Sequence, residues 1–144
     1  MTRERWMRVA LGYLAFAGLQ IGGWALFAPE SFYNGFPGFG RGWIAVDGPY
    51  NEHMTRDMGA LQLALAFVFV AAAVRLDLTL VRIAAVAAMV WGVPHLIYHI
   101  FNIDGLTVAD QIGIFGGLGF YVFLPVALLF MASEMEPARL TERT

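Results

Sequence analysis

The chain has 144 residues, 59% of them hydrophobic and 14% charged, with a net charge of −2 and a mean hydropathy of +0.64. That balance excludes an ordinary soluble domain and indicates a polytopic membrane protein. The lack of cysteine excludes disulfides, thiolate metal sites and cysteine nucleophiles, and without a basic run beyond the amino end there is no electrostatic footprint for nucleic acid.

Charge-free runs at 9–29, 58–74, 83–103 and 111–133 locate the spanning segments. About 20 helical residues, rising roughly 1.5 Å each, cross a hydrocarbon core. The expected fold is therefore all-α, an integral membrane four-helix bundle forming a single domain, with spans at 8–28, 53–74, 81–102 and 110–132.

The first span follows Arg3-Glu4-Arg5-Trp6-Met7-Arg8, a start like that of a signal peptide. Its apolar run is too long for a signal h-region and Ala28-Pro29 is a poor cleavage site, so the segment reads as a retained helix. Gly12, Gly18, Gly22 and Gly23 lie along it, with Gln20 as a buried-polar candidate. The next segment, 29–51, places Phe32, Tyr33, Phe36, Phe39, Trp43 and Tyr50 among glycines and prolines. Aromatics at this height form an interfacial belt, and a lid is the alternative.

The second span begins at Asn51, a good N-cap, and carries Glu52, His53, Arg56 and Asp57 in its first two turns. Its charge-free run covers only about 25 Å, so Asp57 is expected to point into the bundle while Arg75 snorkels to the surface. The third span holds Pro94, which removes a backbone hydrogen bond just before His95, and His99 one turn later. A short connection makes the second and third spans antiparallel neighbours, with Asp57 and His95 both about 10 Å below their helix ends. In the fourth span, Gly113 and Gly117 have the spacing of a close helix approach, Asp110 and Gln111 are polar near its start, and Pro125 reads as packing.

Arginine placement gives orientation. Arg3, Arg5, Arg8, Arg75, Arg82, Arg139 and Arg143 all fall at alternate ends of the bundle, which puts both termini in the cytoplasm of a multi-pass cell-membrane protein.

All three histidines then gather at one depth beside Glu52, Arg56 and Asp57. Ionisable groups inside spanning segments are costly and mark function. His95 and His99 share a helix face at i, i+4, as do His53 and Asp57, and as do Glu52 and Arg56. Three imidazoles and a carboxylate suit a transition metal, namely zinc, iron or copper. His53, His95, His99 and Asp57 would be the ligands, and Glu52 and Arg56 supporting groups. Leu96 follows His95 where a zinc protease would carry glutamate, so no reaction is indicated. Other readings stay open: an ion-pair network that only tethers the helix, a proton-handling site, a non-enzymatic accessory subunit of a larger membrane complex, or a binder of a quinone-like or lipid-like ligand. The last predicts a pocket lined by Trp24, Trp91 and the loop aromatics. The expected partners are the lipid bilayer and a membrane-protein partner or a second copy.

The four short spans resemble the DoxX-like group of small bacterial membrane proteins, at the level of architecture. The string Asn51-Glu52-His53-Met54-Thr55-Arg56-Asp57-Met58-Gly59, with His95 and His99, also looks like an uncharacterised family of actinobacterial type. The first resemblance implies an association with quinone-linked oxidoreductases, and the second implies no activity.

Overall fold

The computed structural model describes residues 2–141, with side-chain surroundings as far as Met135. Arg143 and the side chain of Arg139, both counted in the arginine bias, lie outside the described residues. Among the described residues there are six helices and no strand: α1 (Arg3–Phe27), α2 (Pro29–Gly35), α3 (Trp43–Val46), α4 (Glu52–Arg75), α5 (Leu78–Phe101) and α6 (Val108–Thr141). Four segments are long and apolar enough to cross a membrane: Arg3–Phe27, Glu52–Arg75, Leu78–Phe101 and Val108–Met135. The four expected spans fall on them.

Local chemistry sets the helix ends. Asn51 opens α4, its Oδ1 accepting the Met54 N–H at 3.1 Å, and Asp77 opens α5, accepting the Leu80 N–H at 2.9 Å. Between them Leu76 takes a left-handed conformation (φ 47°) and returns its N–H to the Ala72 carbonyl, so the chain reverses within two residues. A capping box starts α6. The Thr107 N–H donates to Asp110 Oδ2 at 3.1 Å, and the Asp110 N–H donates to Thr107 Oγ1 at 3.2 Å.

Packing divides the bundle into two close pairs. In the first, α1 lies on α4 through glycines in backbone contact. A Cβ added at Gly59 would stand 2.6 Å from the Leu26 nitrogen and 2.9 Å from the Gly22 oxygen, closer than any side chain tolerates. Arginines stitch the ends of this pair reciprocally. Arg8 of α1 donates to the carbonyls of Ala73 and Val74 in the last turn of α4, and Arg56 of α4 donates to the carbonyl of Leu26 in the last turn of α1. Each guanidinium thus satisfies carbonyls that a helix terminus leaves unbonded. In the second pair, Gly92 of α5 admits the backbone of Tyr121 on α6, whose oxygen would lie 3.0 Å from a Cβ at Gly92. The second and third spans, α4 and α5, are neighbours as expected, but they are not each other's main partner. Each makes its most extensive contact elsewhere, α4 with α1 and α5 with α6.

The apolar core occupies the half of the bundle away from α2 and α3. Met7, Leu11, Leu14, Phe69, Val81 and Leu128 are fully buried there, and Pro125 is buried too, as packing. The other half is arranged around a cavity.

Candidate functional site

Beneath α2 and α3, residues of α1, α4, α5 and α6 enclose a cavity of about 420 Å³. That volume lies in the range of small-molecule sites. Its walls are mainly aromatic. Trp24 of α1 meets Phe32 of α2 edge to face at 5.7 Å, Phe36 meets Trp43 at 5.9 Å, and Trp91 of α5 stacks on His95 at 4.7 Å. The segment 29–51, read chiefly as an interfacial belt, is therefore the roof of this cavity, which was the alternative reading. Phe32 is buried and Phe36 and Trp43 face inward, whereas Phe39 and Tyr50 are exposed.

A buried carboxylate latches the roof to the bundle. Asp110 Oδ2 serves the capping box, receiving the Thr107 hydroxyl at 2.5 Å as well as the Thr107 N–H. Its Oδ1 receives Arg41 Nη1 at 2.7 Å and Trp43 Nε1 at 2.8 Å. One side chain thus both begins α6 and holds the roof, through charge-assisted hydrogen bonds. Trp24 adds a second tie, its Nε1 donating to Ser31 Oγ at 3.1 Å. The Gly113–Gly117 spacing also takes a different role from the one expected. A Cβ at Gly113 would come within 2.7 Å of the Trp43 ring, while one at Gly117 would meet nothing within 4 Å. These glycines make room for the roof and the cavity, and the close helix approaches are made by Gly22 with Gly59 and by Gly92.

The six residues singled out in the sequence separate into two groups. His95 and His99 line the cavity with ring centroids 4.9 Å apart, His99 being only 8% exposed. His53 and Asp57 lie elsewhere. They pair with each other at 3.3 Å on the outer face of α4, with side chains 82% and 59% exposed. Asp57 does not point into the bundle, and helical geometry shows why. The packed face of α4 runs through Thr55, Gly59, Gln62, Ala66 and Phe69. At about 100° per residue, His53 and Asp57 fall roughly half a turn away from that stripe. Glu52 accepts Arg56 Nε at 2.8 Å, and Arg56 in turn caps α1, so these two tether α4 to its neighbour. Among the described residues, no group of three or more His, Asp or Glu is arranged to hold one metal ion.

What the cavity wall does contain is a set of polar atoms with no partner among the described residues. Gln62, His99 and Tyr121 all line it and are 2%, 8% and 4% exposed. Both side-chain polar atoms of Gln62, Nδ1 of His99 and the hydroxyl of Tyr121 are buried without a hydrogen bond. Each unmet donor or acceptor costs about 1–3 kcal/mol of desolvation. Gln62 is buried, whereas Gln20, the buried-polar candidate of the first span, is exposed at the cavity's edge. Sequence reasoning missed Tyr121. The available signal was its place on the buried stripe of α6, which runs through Ile114, Leu118, Tyr121, Pro125 and Leu128. No protein-family model, curated protein or solved structure matches the chain.

Proposed function

We propose that the chain is a bacterial cell-membrane protein, both termini cytoplasmic, that binds an amphiphilic ligand with a flat, oxygen-bearing head, quinone-like or lipid-like. The head occupies the cavity in the outer half of the membrane. One observation carries the reading: the unpartnered groups of Gln62, His99 and Tyr121 gather in the wall of a single aromatic-lined cavity. A few convergent polar groups within an apolar, aromatic enclosure are what fixes the orientation of a small ligand. Gln62 offers a donor and an acceptor, Tyr121 a hydroxyl that does either, and His99 a ring nitrogen whose role depends on its tautomer. Ring carbonyls or hydroxyls of a ligand would meet these atoms, while Trp24, Trp43 and Trp91 would pack against its plane. The architectural resemblance to DoxX-like proteins points the same way, and the arginine bias supports the orientation.

Tryptophan fluorescence tests the reading directly, because three of the four tryptophans line the cavity. The probe is a methoxy-substituted 1,4-benzoquinone without an alkyl tail, titrated into protein in lipid nanodiscs. Saturable quenching is expected, with affinity lowered at least about ten-fold (about 1.4 kcal/mol) in Gln62→Leu and in His99→Leu. Quenching that is linear in probe, or equal in wild type and both variants, would refute it.

A further inference from the structure

The cavity has a side opening as well as a roof. Several residues that line it are also exposed on the bundle surface, and they face each other across one groove: Tyr13 and Gln20 on α1, Gly113 and Gly117 on α6. Contact between α1 and α6 is sparse compared with that inside either helix pair. The rings of Tyr13 and Phe120, 5.2 Å apart, bridge the groove on the core side. Trp43 closes it on the roof side, packed over Gly113. Between those two bridges lie seven residue steps on α6, about 10 Å at 1.5 Å per residue. Gly117 stands in that gap, presents no side chain, and has no heavy atom within 4 Å of where a Cβ would be.

We infer that this gap between α1 and α6 is a lateral window through which a ligand's apolar tail passes from the cavity into the bilayer, and that Gly117 is the residue that keeps it open. The inference rests on the binding reading above and specifies the ligand further. A cavity of about 420 Å³ accommodates a ring head and a short stretch of chain but not a long prenyl-type tail as well. Because the window lies on an apolar face of two spanning helices, a chain leaving through it stays in hydrocarbon. The ligand is therefore a polar-headed lipid with a long unbranched or prenyl-type tail, taken from the membrane and not from water. The polar end lies deep among Gln62, His99 and Tyr121, and the tail leaves past Gly117. Glycine is the residue required there because any side chain would project into the gap.

The test compares two probes on the same protein in nanodiscs: the tail-less benzoquinone used above, and the same head carrying a prenyl-type tail too long for the cavity, its concentration expressed per lipid. The readout is the ratio of tailed to tail-less affinity. In Gly117→Leu that ratio is expected to fall at least ten-fold, and Gln20→Trp on the opposite edge should lower it in the same direction. Gly12→Leu, on α1 outside the cavity and with nothing within 4 Å, should leave both affinities as in wild type. Leucine is a better helix former than glycine, so Gly117→Leu and Gly12→Leu should keep their fold. A ratio within two-fold of wild type in both window variants overturns the window while leaving head binding intact. Failure of wild type to bind the tail-less head saturably overturns the binding reading, and the window with it.

Discussion

The first turns of α4 and the last turns of α5 present the same chemistry in opposite settings. Each carries an imidazole with a polar partner four residues away, His53 with Asp57 and His95 with His99. On α4 the pair looks outward and its members satisfy each other. On α5 the pair looks inward, His95 stacks on Trp91, and His99 Nδ1 has no partner among the described residues. Spacing guarantees only that two side chains share a helix face. Where that face points depends on the packing stripe, and here the stripes decide. Val81, Ala85, Ala88 and Gly92 of α5 continue at heptad spacing into His95 and His99, whereas His53 and Asp57 are offset from the stripe of α4.

That contrast can be broken or sharpened in several ways. The largest effect should come from the latch. Asp110→Ala removes the acceptor of Arg41 and Trp43 and half of the capping box, so the melting temperature should drop by several degrees and Trp43 emission should shift to longer wavelength. An unchanged emission spectrum would show that Asp110 does not hold the roof. Next comes an inversion of the usual stability penalty. Gln62→Leu replaces two unpartnered buried atoms by an apolar side chain of similar size, so the ligand-free protein should gain about 1–2 kcal/mol while head binding weakens. A loss of stability would mean that Gln62 is satisfied within the ligand-free protein. Elemental analysis of purified protein sharpens the comparison further. With the histidines divided between an outer and an inner face, no stoichiometric transition metal is expected; a bound metal lost in His53→Ala would show the two faces converging. The smallest effect belongs to the outer pair. His53→Ala and Asp57→Ala should each change stability by less than about 0.5 kcal/mol and leave probe binding unchanged, as exposed ion pairs do.

The sequence made the fold legible because long charge-free runs have few other solutions, and because Asn51 and Asp77 are recognisable caps. It made the site only half legible. His95, His99, Trp24 and Trp91 were within reach, since aromatic and imidazole groups on an apolar helix are conspicuous. The pairing of α1 with α4 was not, because it depends on Gly22 and Gly59 meeting at one height, and glycine spacing alone points equally to Gly113 and Gly117. The dual role of Asp110 was hidden for a related reason: its capping partner Thr107 is three residues away, but Arg41 and Trp43 reach it from a segment about 70 residues earlier whose path no local pattern specifies.

The contact between Gly22 and Gly59 also bears on how such a protein can diversify. With two main chains touching, that seam accepts no added atom, so one wall of the chamber is frozen. Variation in the chamber must then come from the opposite side, where Ile114 and Leu118 of α6 and Ile44 of the roof meet it through replaceable side chains. Descendants adapting to new cargo would be expected to change there first and leave the seam alone.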